Sequence, residues 1–260
     1  MTNFFWLHKK YYIAASAKGF SCFSLPHLVW LAVLLIGIVL LTRFYVKLKS
    51  EQRNNFRKSI ALFLILFEIA KQCFVGLTGD TVSTHLPLHI CSFAVYTILI
   101  DALWPDNRFF KSPLCYAFLP SAFMALIFPN AVIYPPLSFY TIHHFIPHAL
   151  IVAYIIARYS AGEIRIRYKG VWSTFLEVCA LAIPIYFIDK AFDVNFIFLM
   201  NHSNNPALMF IWNISGGTGG ISYIIALGVL VLIVIHFTFG IFVAIEALKK
   251  RFLKNKANAS

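Results

Sequence analysis

The chain has 260 residues, of which 60% are hydrophobic and only 12% are charged, and its mean hydropathy is +0.77. Soluble domains carry about a quarter charged residues, so this composition excludes a soluble globular fold and indicates a polytopic membrane protein. The formal net charge is +12, but the basic residues form short clusters between apolar runs. That arrangement is typical of contacts with anionic lipid headgroups, and it argues against nucleic-acid binding.

In chain order, the sequence predicts an interfacial segment at residues 1–24, a transmembrane helical bundle at 25–248 and a basic cytoplasmic tail at 249–260. A helix needs about 20 apolar residues to cross the hydrocarbon core, and an open sheet would leave unpaired amides in lipid. We therefore predict an all-α bundle of about seven spans. The predicted spans are Leu25–Tyr45, Ser59–Leu77, Leu86–Trp104, Leu114–Ile133, Phe139–Tyr159, Val171–Phe192 and Ile221–Leu248.

The distribution of Lys and Arg predicts the orientation of the bundle. The first, third and fifth connections and the tail carry basic residues, whereas the second, fourth and sixth connections contain none. Cytoplasmic loops are enriched in Lys and Arg, so this alternation places the N-terminus outside and the C-terminus in the cytoplasm. Prolines inside the later spans, among them Pro120, Pro147 and Pro184, predict helix kinks.

Polar side chains within the predicted spans gather at one depth. Ionisable groups in a membrane are costly, so they usually face the bundle interior and often mark a site. With the predicted topology, Glu68, His89, His148 and Asn195 all lie toward the outer face of the bilayer. This coincidence predicts a functional site there. Asp101, near the inner end of the third span, is expected to face cytoplasmic water.

Two histidine pairs have one-turn spacing, His85 with His89 and His144 with His148. Such spacing lets two imidazoles reach one metal ion, but the chain has no HExxH motif, so hydrogen-bonded packing is the alternative reading. Glu68 has a comparable alternative, a structural ion pair with Lys71. The sequence predicts no bound metal and no cofactor.

Cys91 is the candidate nucleophile. A thiol becomes reactive when a neighbouring base takes its proton. His89 is two residues away and points elsewhere on a helix, so His144 or His148 would have to serve Cys91 from across the bundle. The alternative is that Cys91 is a small apolar residue in a packed helix.

Residues Leu86–Cys91, which read LPLHIC, resemble the LPLHxC signature of the YwaF-like bacterial integral membrane proteins. Supporting matches are Glu68 and the stretches Ile146–Ile151 and Asn195–Leu199. The resemblance runs from about Leu25 to Leu232, and it implies a shared lipid-facing fold and site.

The animal relatives of that family, the transmembrane protein 164 group, are described as acyltransferases that act on ether phospholipids. The positions here that match their site are Glu68, His89, His148 and Asn195. In the animal group, a cysteine proposed as the acyl carrier directly precedes the first histidine, where this chain has Leu88. The resemblance therefore supports a shared site better than it supports thioester chemistry.

The leading hypothesis is a membrane-embedded acyltransferase or lipid-ester hydrolase of the outer leaflet. His89 and His148 are the predicted general base and acid, and Glu68 is predicted to orient an imidazole. Asn195 is the predicted donor to an oxyanion, and either Cys91 or a histidine-activated water is the nucleophile.

Two other functional classes stay open, a proton-coupled small-solute transporter and a non-enzymatic membrane assembly protein. The predicted partners are membrane lipids, with no nucleic acid, and the predicted location is the cell membrane, taken as the bacterial plasma membrane. The sequence indicates neither the substrate nor the oligomeric state nor any protein partner.

Overall fold

The computed structural model describes residues 19–79, 81–129, 133–203, 205–218 and 220–258. Within these ranges the chain is helical and contains no strand, which confirms the all-α prediction. Residues 1–18 of the expected interfacial segment lie outside the described residues. The helices are α1 (Leu25–Lys47), α2 (Ser50–Thr78), α3 (Ile90–Leu103), α4 (Lys111–Ile127), α5 (Phe139–Ser160), α6 (Lys169–Phe192), α7 (Pro206–Ile214) and α8 (Ile221–Asn258), with 3-10 turns at Val82–His85 and Phe196–Phe198.

Among the described residues, five helices are long and apolar enough to cross a bilayer, namely α1, α2, α5, α6 and α8. Helices α3 and α4 are shorter apolar helices. Helix α1 shows how these surfaces are built: Leu35, Ile36 and Leu40 are 62%, 59% and 60% exposed. Such a continuous apolar surface suits lipid and not water. The chain is therefore a multi-pass helical membrane protein, while the number of seven crossings and the orientation remain predictions.

Helix α3 begins at Ile90 and not at Leu86 as predicted. A proline disfavours helical conformation in the residue before it, and Pro87 follows Leu86 directly. The chain stays extended up to His89, whose φ of −75° and ψ of 157° make it the N-cap of α3. His85 lies in the preceding 3-10 turn. The two histidines therefore do not share one face of a helix, which corrects the one-turn geometry expected for them.

Helix α4 is irregular, as its prolines predict. Its middle part, Leu114–Phe118, is π-helical, and Pro120 follows in the final α-helical part. Pro147 and Pro184 lie inside the continuous helices α5 and α6. The short helix α7 lies in the sixth predicted connection, where the sequence reading placed no helix.

The chain forms two compact units. Unit 1 comprises the described residues up to Phe110 together with Ser121–Ile164, and unit 2 comprises Lys111–Pro120 together with the described residues from Arg165 onward. In unit 1, α1 packs along α5 and α2 packs along α3. In unit 2, α8 packs against α6 and against the π-helical segment. Gly170 permits a close approach there, since a Cβ at this position would lie 2.4 Å from Oγ of Ser112.

A buried ion pair joins α3 to α5 within unit 1. Nη1 of Arg158 pairs with Oδ2 of Asp101, and the Tyr154 hydroxyl donates to the same oxygen at 2.6 Å. Asp101 is 0% and Arg158 is 2% exposed. The expectation that Asp101 faces cytoplasmic water is therefore wrong. Its carboxylate lies inside the unit, where a cationic partner and hydrogen bonds offset the cost of removing it from water.

Glu163, in the loop after α5, extends this network to α1 and α2. Its Oε2 accepts hydrogen bonds from Nε of Arg158 at 2.9 Å, from Nη1 of Arg57 at 3.1 Å and from the Tyr45 hydroxyl at 2.8 Å. Its Oε1 pairs with Nη1 of Arg53 at 3.4 Å. Burial alone would raise the pKa of Glu163. The hydrogen bonds from Arg158 and Tyr45 and the nearby guanidinium charges outweigh that effect and hold the pKa below its usual value.

Replacing Arg158 by Leu would leave Asp101 charged, buried and without its cation. We expect Arg158→Leu to lower the free energy of unfolding by about 3–5 kcal/mol, measured by unfolding of the purified protein in detergent. Lys249→Ala is the matched control, because it removes an ion pair with Glu246 at 3.6 Å whose side chains are 49% and 44% exposed. The control should change that free energy by less than about 1 kcal/mol. Equal stability of the two variants would contradict the role assigned to the buried pair.

The depressed pKa of Glu163 makes part of the stability pH-dependent. Its ionised form stabilises the folded state, so the contribution is fully present above the unfolded-state pKa of about 4.3 and is lost as the pH falls through the lower folded-state value. We expect the unfolding free energies of the wild type and of Glu163→Gln to converge as the pH is lowered from about 6 to about 3. Unfolding of both proteins, measured across this pH range, tests the expectation. A difference in unfolding free energy that stays constant with pH would refute the linkage to Glu163.

Candidate functional site

Cys91 lies in the first turn of α3. Because the helix begins at Ile90, the thiol is at the helix start and not one turn inside it. Backbone N–H groups of a first helical turn have no partner within the helix, and the helix dipole is positive at this end. An anion is stabilised in such a position, which is where reactive cysteines are often found.

His148 of α5 lies beside this thiol, close enough for the two side chains to interact. Its Nδ1 donates to the backbone oxygen of His144, one turn earlier in the same helix. A carbonyl oxygen only accepts hydrogen bonds, so Nδ1 carries the proton, and in the neutral imidazole the free lone pair is on Nε2. This tautomer leaves Nε2 available to take a proton from Cys91.

The part of α4 that belongs to unit 1 contacts Cys91 directly, and it contacts His144, whose backbone oxygen binds His148. Oγ of Ser121 accepts from the Cys91 thiol at 4.0 Å. One turn later, the backbone oxygen of Ala125 accepts from Nε2 of His144 at 2.9 Å. Three helices, α3, α4 and α5, therefore meet around the thiol. Sequence reasoning did not single out Ser121, because a lone serine in an apolar helix gives no chemical signal.

Glu68 lies in a charged cluster on α2. Its Oε1 accepts from Nζ of Lys71 at 2.7 Å and from Nε2 of Gln72 at 2.8 Å, and its Oε2 is 3.5 Å from Nε2 of His143. The side chains of Glu68, Lys71 and His143 are each 14% exposed. The ion pair that the sequence left open is thus formed. The imidazole that Glu68 contacts belongs to His143, which directly precedes His144 in α5.

His89 lies near the Cys91–His148 pair and near the charged cluster on α2. It is exposed at the surface of unit 1, and its side chain is within electrostatic range of Lys71, His85 and His148. Its backbone oxygen accepts from the N–H groups of the first turn of α3, which anchors the start of that helix. Its role as a general acid or base remains a prediction.

Asn195 belongs to unit 2 and organises the loop after α6. Its Nδ2 donates to the backbone oxygen of Asn201 at 3.0 Å and to Oγ of Ser203 at 2.8 Å, and its Oδ1 accepts from the N–H of Met200 at 2.9 Å. Both the nitrogen and the oxygen of the Asn195 amide are therefore hydrogen-bonded within their own loop. Donation to an oxyanion would require these bonds to exchange, and that role stays a prediction.

The histidine pairs are engaged in other contacts. His144 is bound to Ala125, His148 is bound to His144, and His85 stacks on Tyr140 with ring centroids 5.6 Å apart. Throughout the described part of the chain, no group of three or more His, Cys, Asp or Glu side chains is arranged to hold a metal ion.

Comparison with known proteins adds one finding. The model of the TMEM164 family matches residues 22–239, which is most of the chain and includes Glu68, Cys91, His148 and Asn195. Searches among curated proteins and among solved structures give no significant match. The matched region covers the two units from the start of α1 into α8. The chain belongs to the TMEM164 family.

Proposed function

We propose that this protein is a membrane enzyme that takes an acyl group from a lipid ester through Cys91, with His148 as the base. One observation carries the proposal: a thiol at the N-terminus of α3 faces an imidazole of α5 whose tautomer leaves Nε2 free to accept a proton. Thiol and imidazole within reach, with the imidazole oriented by a third group, is the general arrangement of an activated nucleophile. Membership of a membrane-protein family with apolar helices fits a lipid substrate.

The first half-reaction would form a thioester. Nε2 of His148 takes the thiol proton, and the sulfur of Cys91 attacks the ester carbonyl carbon. The tetrahedral intermediate collapses with cleavage of the ester C–O bond. His148 returns its proton to the departing alkoxide, so the lipid leaves as an alcohol and the acyl group stays on sulfur.

The second half-reaction would release the acyl group. His148 takes a proton from an acceptor hydroxyl, which attacks the thioester carbonyl carbon. The carbon–sulfur bond breaks, and the thiolate recovers the proton from His148. A lipid acceptor gives acyl transfer, and water gives ester hydrolysis. His89 and Glu68 keep their proposed roles in proton transfer and in orienting an imidazole.

The test is turnover by the purified protein in nanodiscs, supplied with isotopically labelled lipid esters and followed by mass spectrometry. General-base catalysis is worth about 10²–10⁴-fold, so His148→Ala should lower kcat/KM by that factor. Cys91→Ala should lower kcat/KM by a similar factor. This variant should also lack the acyl adduct that the wild type carries on Cys91. Cys73→Ala is the matched control, since that thiol is exposed on α2, and it should retain wild-type turnover.

Two outcomes would count against the proposal. Turnover by Cys91→Ala without turnover by His148→Ala would replace the thiol with a histidine-activated water. Wild-type turnover by both variants, with unchanged lipid ester pools in cells, would contradict the assignment of Cys91 and His148 as a reaction centre.

A proton-coupled carrier is the second candidate. It is favoured by the cluster of Glu68, Lys71 and His143, in which Lys71 and His143 have no role in the acyl-transfer chemistry. A carrier predicts solute flux that depends on the proton gradient and no acyl adduct on Cys91.

The family resemblance and the basic loops also support a finer topology, seven crossings of the bacterial plasma membrane with the N-terminus outside. At about 1.5 Å per residue, the 14 residues of α3 cover roughly 21 Å of a hydrocarbon core about 30 Å thick, so this crossing also uses the extended segment before the helix. In a cysteine-free background, Leu137→Cys should react with an impermeant maleimide in intact cells. Arg165→Cys should react only after permeabilisation, and the reverse pattern would overturn the orientation.

A further inference from the structure

Ser121 is the third group on the Cys91 sulfur. Its Oγ is 4.0 Å from Sγ, and it comes from α4, a different helix from those that carry Cys91 and His148. Ala125, one turn further along α4, holds the side chain of His144. One face of α4 therefore contacts the thiol and also the residue whose backbone oxygen orients the base.

The number of protons at this site limits what Ser121 can do. A thiol has a single proton, and two groups that can accept it lie beside it, Oγ of Ser121 and the imidazole of His148. In the bond to Ser121 the thiol is the donor. Once His148 has taken the thiol proton, the sulfur only accepts hydrogen bonds. A hydroxyl rotates freely about its C–O bond, so Ser121 then turns its own proton toward the sulfur.

We propose that Ser121 is a positioning residue that accepts from the Cys91 thiol at rest and donates to the thiolate after proton transfer. This inference rests on the proposed function of the Cys91–His148 pair. Ser121 keeps its own proton throughout, and the thiol proton moves only between sulfur and Nε2 of His148. A hydrogen bond to a charged acceptor is stronger than one to its neutral form, so Ser121 stabilises the thiolate more than the thiol.

The test measures the thiol itself and needs no substrate. In protein whose other cysteines are replaced, Cys91 is converted to its methyl disulfide by methyl methanethiosulfonate, with loss of methanesulfinate. The reaction is run in nanodiscs between neutral pH and the high-pH plateau, and intact mass gives the rate. We expect Ser121→Ala to lower the ratio of the neutral rate to the plateau rate by about tenfold. Ser121→Thr keeps the hydroxyl and should restore the ratio to within about threefold.

Ser173→Ala is the matched control, because that hydroxyl donates to the backbone oxygen of Gly170 in its own helix, and it should leave the ratio unchanged. The plateau rate separates structural damage from loss of the hydroxyl, since a disturbed fold changes access to the thiol at every pH. An unchanged ratio in Ser121→Ala, or a Ser121→Thr protein that behaves like Ser121→Ala, would overturn the inference. A protein that turns over no lipid ester but shows the expected ratios would refute the proposed function alone.

Discussion

A carboxylate enclosed among membrane helices is tolerated only with a partner, and in unit 1 that requirement fixes how α3 lies against α5. Asp101 comes ten residues after Cys91, and Arg158 comes ten residues after His148. Because the two helices have the same rise per residue, pairing Asp101 with Arg158 places Cys91 level with His148 when the helices run in the same direction. The ion pair at one end therefore sets the helix register that brings Cys91 and His148 together at the other.

The membrane character and most helix positions follow from the sequence because lipid imposes a simple rule on composition and run length. The predicted starts of α1 and α5 and the end of α6 coincide with those observed. Composition and run length do not indicate which polar side chains contact one another. Asp101 and Arg158 are far apart in sequence, and each alone looks like a charge near a helix end that water could solvate. Their burial depends on how the helices pack, which no local pattern encodes.

The candidate site was predictable in part for the same reason. Glu68, Cys91 and His148 lie at a similar depth in the second, third and fifth predicted spans, but that depth did not indicate which side chains pair. Glu68 contacts His143, and Cys91 faces His148, while the helix start at Ile90 depends on a local effect of Pro87. Nothing in the sequence indicated a role for Ser121, because the chemistry of a serine depends on the side chains that contact it in the fold.

The group that holds His148 in its tautomer is a main-chain oxygen and not an acidic side chain. Every amino acid at position 144 supplies the same acceptor, so a substitution there removes the bond to Ala125 and the ring contacts with Phe145 and His148 but keeps the backbone oxygen. In the proposed reaction, this main-chain oxygen would take the place of the third member of a catalytic triad, and it leaves no trace in the pattern of side chains. A comparison of side chains among sequences would therefore not reveal this backbone acceptor, whereas backbone geometry does.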